Sequence, residues 1–180
     1  GLAADTREIA HGYPGAVVLT DTAAHRQALT AALRRSGIFH FAGHAIFDDQ
    51  HPTRSYLVLA PVHGDSGRLT AAEIAEMDLG HLRLVVLSAC QTQRSTSGRS
   101  GGFAGLSGAM LEAGAGGVVG SLWRVYDGYT RELMAGFHRA YRDSGDGADA
   151  LRQAQLRLME HQDAALRSPA AWAGFRYAGN

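Results

Sequence analysis

The chain contains no lysine. All 17 of its cations are arginine, and 17 carboxylates balance them. A net charge of zero removes the electrostatic case for binding nucleic acid or an anionic membrane surface. Cysteine is almost absent: Cys90 stands alone in 180 residues. It can form no internal disulfide, and a free thiol fits a reducing compartment, so a cytoplasmic location is expected. One thiol, with histidines 11, 25, 51, 63, 81, 138 and 161 scattered through turns and helices at no paired ligand spacing, argues against a zinc site. No metal and no organic cofactor is expected.

Long apolar runs are missing too. No window approaches the roughly 20 residues that a membrane span needs. The opening Gly1-Leu2-Ala3-Ala4-Asp5-Thr6-Arg7 has neither the basic start nor the apolar stretch of a secretory signal. Proline is scarce, with 4 residues against 23 glycines, which points to tight turns and close backbone approaches rather than a disordered tail. The glycines at 114, 116, 117 and 120 lack the Gly-Lys-Ser/Thr ending of a phosphate loop.

What remains is a chain whose length suits one domain with a sizeable core. Short apolar runs alternate with amphipathic stretches. Ala16-Val17-Val18-Leu19 reads as a buried strand, and Thr20-Asp21-Thr22 caps a helix whose apolar positions are Ala24, Ala28, Leu29, Ala32 and Leu33. Residues 38–42, 56–59, 84–87 and 116–123 read as further strands. Thr70 with Glu73 forms a capping box. Helices are expected at about 103–113, 128–142 and 147–161, and an edge strand over 172–177. The alternation predicts an α/β fold with a mostly parallel sheet covered on both faces, a three-layer α/β/α sandwich. Sites in such sheets form beyond the carboxyl ends of the strands.

Two strands end in reactive side chains. Ile38-Phe39-His40-Phe41-Ala42-Gly43 leads to His44, and Leu84-Val85-Val86-Leu87-Ser88-Ala89 leads to Cys90. On adjacent parallel strands they would form a thiol nucleophile and its base, the chemistry of a cysteine peptidase. The N–H groups of Cys90 and Ala45 are the expected oxyanion donors. Gly43 would admit a substrate chain beside His44. No aspartate stands at an obvious triad spacing, so a dyad is the simpler arrangement. His40, on the His44 side by period two, is expected to be a packed or hydrogen-bonded residue.

His44 precedes Cys90 by 46 residues, close to the ~50 of caspase-like peptidases. The segments Phe41-Ala42-Gly43-His44-Ala45, Ser88-Ala89-Cys90-Gln91-Thr92 and Gly120-Ser121-Leu122-Trp123-Arg124-Val125 with Asp127 resemble the CHAT family, caspase-like domains often joined to tetratricopeptide repeats. Gly67-Arg68-Leu69-Thr70, Glu73-Ile74 and Trp172-Ala173-Gly174-Phe175 extend the match over nearly the whole chain in the family's order. The resemblance implies the caspase-like sandwich, with His44 as the family's histidine and Cys90 as its nucleophile. It also implies a bacterial-type domain that acts on a protein or peptide substrate and is controlled by regulatory domains or partners outside this chain.

Ala45 stands where the family has glycine, and Gly101-Gly102-Phe103 where it has Gly-Glu. The single domain over residues 1–180 is expected to lack the family's first strand and helix. Ser121, Trp123 and Asp127 follow the strand beside that of Cys90 and are substrate-binding candidates. Asp127 would attract arginine or lysine and Arg124 an acid, and burial decides between them. The segment 93–102 stands where related peptidases carry activation loops; it reads either as an ordinary solvated loop or as one cut after Arg94 or Arg99. Two other readings keep the same fold class. One is a catalytically silent scaffold that binds a partner peptide in the same cleft. The other is a flavodoxin-like small-ligand module in which Cys90 is incidental.

Overall fold

The computed structural model describes residues 2–91, 103–123 and 125–179. Its strands are β1 (Ile38–Ile46), β2 (Tyr56–Val58), β3 (Arg68–Thr70), β4 (Leu84–Gln91), β5 (Gly117–Ser121) and β6 (Phe175–Gly179). They form one sheet in the order β3-β2-β1-β4-β5-β6. β1, β4 and β5 run parallel at its centre, while β2, β3 and β6 close the flanks antiparallel. Leu84, Val85, Val86 and Leu87 are each at most 4% exposed, because a central parallel strand is covered on both faces and needs an unbroken apolar run.

Successive side chains of a strand alternate faces, and the two cores follow that alternation. Phe39, Val85, Leu87 and Val118 pack with Leu29 and Leu33 of α2 (Arg26–Leu33), Ile74 of α3 (Ala71–Ala75) and Met110 of α4 (Gly108–Glu112). Leu84, Val86 and Val119 pack with Leu133 and Phe137 of α5 (Asp127–Ser144) and Leu151 of α6 (Gly147–Met159). The expected α/β/α sandwich is therefore present. Among the described residues, no helix is long and apolar enough to cross a membrane.

Several local expectations change. Residues 16–19 join no ladder, and Val17 is 69% exposed. Four apolar residues without a ladder partner do not make a strand. Thr20 opens a 3-10 turn, Asp21–Ala23, and His25 caps α2 by accepting from Ala28 N–H at 3.3 Å. β1 continues past residue 42 to Ile46, because β2 pairs with residues 44–46 from the other side. The helix at 103–113 begins as a π-helical turn, Phe103–Ser107, before α4. Helix α1 (Leu2–His11) and the short α7 (Ala164–Arg167) and α8 (Pro169–Trp172) had no counterpart in the sequence reading. The closing strand starts later, at Phe175.

The capping box forms as expected. Thr70 Oγ1 accepts from Glu73 N–H, and Glu73 Oε2 accepts from Thr70 N–H at 2.9 Å. The other Glu73 oxygen takes Arg26 Nη2 at 2.6 Å, so one carboxylate ties β3, α3 and α2 together.

On the other face, a polar chain fastens α5 and the segment after α1 to β1. Tyr13 Oη meets His138 Nδ1 at 2.8 Å, and His138 Nε2 meets His40 Nδ1 at 2.9 Å. The two imidazoles lie nearly parallel, 12° apart with centroids at 5.0 Å. The Arg142 guanidinium covers the Tyr13 ring at 5.6 Å. Burial lowers the His40 pKa from 6.5 to about 4. Burial, then His40 and Arg142, lower that of His138 to about 2. Both rings are therefore neutral in the fold.

Two predictions follow from these contacts. Thr70→Ala should cost about 1 kcal/mol in urea unfolding, the usual loss for a removed N-cap. An unchanged midpoint would mean that the box contributes nothing. Acid should also withdraw stability, since the unfolded imidazoles bind protons below pH 6.5 while the folded pair resists until about pH 4 and 2. The unfolded state then holds more protons, so stability falls as pH drops, by roughly 2 kcal/mol per histidine at pH 5. Urea midpoints between pH 7.5 and 4.5 should decline accordingly, and more shallowly in His138→Gln.

Candidate active site at the carboxyl end of the sheet

The parallel ladder of β1 with β4 aligns Ile38 with Leu84, and each following pair in step, up to His44 with Cys90 and Ala45 with Gln91. His44 and Cys90 are thus Cα partners on adjacent parallel strands, about 4.8 Å apart by the spacing of such strands. The ladder brings together the two residues that the sequence singled out. His44 is exposed at the sheet's carboxyl end, while its neighbour Ala45 is fully buried on the ladder between Leu57 and Gln91. Cys90 is described by its backbone.

The turn beyond β1 is held by one carboxylate. Asp48 Oδ1 accepts from His51 N–H at 2.8 Å and from Gln50 N–H at 3.1 Å. Asp48 N–H donates to the buried Ser55 Oγ at 3.0 Å. The His51 N–H bond, ahead of the other contacts, holds the Asp48 carboxyl below its usual range. This fold-back lays β2 against residues 44–46 and so fixes the strand on which His44 stands.

Gly43 also has a packing role, apart from the one its place in the sequence suggested. A Cβ there would lie 2.9 Å from Phe41 Cζ. Phe41 and Gly43 share the face opposite His44, so the glycine makes room for an aromatic ring of the α3/α4 core. It leaves the His44 side of the strand to the residues of even number.

β5 continues the row on the far side of β4. Its last registered pair with β4 is Leu87 with Gly120, and the strand ends at Ser121, so Trp123 stands in the bend just beyond its carboxyl end. Trp123 is 44% exposed and rests on the backbone after α8. A Cβ on Gly174 would lie 3.3 Å from Trp123 Nε1, and Leu122 N–H donates to Gly174 C=O at 2.8 Å. Trp123, a substrate-binding candidate from the sequence, thus lies at the surface. Ser121 is half-buried opposite Phe175. Asp127 is exposed at the first position of α5, where a carboxylate suits the positive end of the helix dipole. Arg124, and the segment 92–102 with Arg94 and Arg99, lie outside the described residues.

The sequence reading counted His138 among scattered histidines, yet it is 1% exposed and joined to His40. Its helical spacing from Met134 and Tyr141, four residues back and three on, places it on the buried stripe of α5. That spacing was the available signal. His40 is hydrogen-bonded, as expected.

These elements make one chemical arrangement available: a histidine and a cysteine side by side on parallel strands, with an exposed indole beyond them. The family model described as the CHAT domain matches residues 2–180, and no curated protein matches the chain. CHAT domains are a caspase-like, peptidase-type group associated with cysteine peptidases, and they are often paired with tetratricopeptide-repeat domains. With that match over nearly its full length, and the sheet that carries it, the chain belongs to the CHAT domain family.

Proposed function

We propose that this domain is a cysteine endopeptidase that cuts a protein partner through a His44–Cys90 dyad. The observation that carries the reading is the ladder pair of His44 with Cys90. His44 removes the thiol proton, and the Cys90 sulfur attacks the scissile carbonyl carbon. The tetrahedral intermediate collapses to a thioester as the amine leaves with the proton from His44. Water, deprotonated by His44, then hydrolyses the thioester and restores the thiol.

The Cys90 and Ala45 N–H groups serve the oxyanion. The substrate backbone runs past His44 and Gly43, and Ser121, Trp123 and Asp127 form the opposite wall. Regulatory domains or partners of the tetratricopeptide-repeat type fit a domain whose control lies outside its own chain.

The position of Ala45 gives the scaffold reading its specific support. Ala45 is fully buried with a register partner on each side. Its N–H can serve an oxyanion only after the ladder opens around Ala45. A domain in which that end stayed closed would hold a peptide in the same cleft without cutting it.

Labelling with a peptidyl acyloxymethyl ketone separates the two. The peptidase should acquire one label, absent in Cys90→Ala and slower by about 10²–10⁴ in His44→Ala, the usual weight of a general base. Peptide binding with no label, in the presence of the regulatory partner, would establish the scaffold.

A further inference from the structure

Among the described residues, two polar atoms on the α5 side of the sheet are buried without a hydrogen-bond partner: His40 Nε2 and Ser88 Oγ. Ser88 is 6% exposed. They stand on adjacent strands, for Ser88 is the Cα partner of Ala42, and His40 lies two residues before Ala42 on the same face. Only the Ala42 methyl stands between them on β1. The diagonal across such a pair is roughly 8 Å between Cα atoms. A buried water needs two polar partners or more, and these two unpartnered atoms on one face supply them.

We infer that one water, held between His40 Nε2 and Ser88 Oγ, closes a buried relay from Tyr13 through His138 and His40 to Ser88, and that this relay positions the end of β4 on which Cys90 stands. The proton order follows from the contacts. Tyr13 Oη is 2.8 Å from His138 Nδ1 and 3.4 Å from the His138 carbonyl, so its hydrogen goes to the nitrogen. His138 is then protonated on Nε2 and donates to His40 Nδ1. His40 is protonated on Nε2 and donates to the water, which donates to Ser88 Oγ.

Each ring has one tautomer because its neighbour allows one. Among the described residues, the charged and titratable groups that act on the pair are Tyr13 and Arg142, with Tyr141 beside Tyr13, and no carboxylate is among them. His40, His138 and Ser88 are positioning residues: Ser88 lies two residues before Cys90, so its anchor sets where that strand end rests. The positioning role rests on the dyad reading, whereas the relay itself does not.

Long-range ¹H–¹⁵N correlation on the labelled full chain near neutral pH reads the tautomers. Both histidines should be neutral and Nε2-protonated. Ser88→Ala should leave His40 protonated on Nε2, since His138 still donates to its Nδ1, but should shift the His40 Nε2–H resonance as the water loses its partner; Ser88→Thr, which keeps the hydroxyl, should hold that resonance near its parent position. Cys90 is the only cysteine, so iodoacetamide alkylation followed by mass reads it alone. Its rate at fixed pH should change about fivefold in Ser88→Ala, as for one lost hydrogen bond, and return toward the parent value in Ser88→Thr. A charged or Nδ1-protonated His40, or ring nitrogens indifferent to Ser88→Ala, would overturn the relay. A His40 Nε2–H resonance that responds while alkylation does not would overturn the positioning role. If the relay behaves as expected but Cys90 takes no peptidyl label, the peptidase reading fails and the relay stands.

Discussion

Eight consecutive residue pairs, from Ile38 opposite Leu84 to Ala45 opposite Gln91, hold β1 and β4 in one parallel register. A slip of one residue would turn every side chain of either strand to the wrong face. Phe39 and Leu87 would leave the core they share with α2 and α4, and Val86 would leave Leu133 and Phe137 of α5. The register is therefore fixed by apolar burial on both sides at once. The alignment of His44 with Cys90 is a by-product of it. Packing decides the geometry of the candidate site, and the two reactive residues need contribute nothing to it.

The two faces of the sheet are not equivalent. The face toward α2, α3 and α4 is closed by apolar side chains, and even its glycine, Gly43, yields its space to Phe41. The face toward α5 carries His40, Ala42, Ser88 and His44. A polar chain inside an apolar layer costs stability unless its members satisfy one another. Tyr13, His138 and His40 do so in the neutral state, which ties the coherence of this face to the protonation of two imidazoles. The same polar character makes this the face on which chemistry can be built.

Much of the architecture was legible because it follows from local pattern. The run Leu84–Leu87 and the stripe Leu133, Phe137, Ala140 and Tyr141 carry their periods in the sequence, and the Thr70/Glu73 box announces its helix. Residues 16–19 misled because apolar composition cannot say whether a ladder partner exists. The extension of β1 to Ile46 was hidden because it depends on β2, ten residues farther on. His138 was passed over because its partner His40 is 98 residues away. Helix spacing placed it on a buried stripe but could not say what lay opposite.

The sequence by itself determined the α/β layering, the family, and the identity of the histidine and cysteine, since these reside in short segments whose order and spacing are covalent facts. Tertiary structure alone decided that those two residues are lateral neighbours, that Gly43 serves Phe41, that Trp123 lies at the surface, and that His40 and His138 share a proton. Each of these is a relation between segments far apart in the chain, set by which faces the cores bury, and no local pattern encodes it.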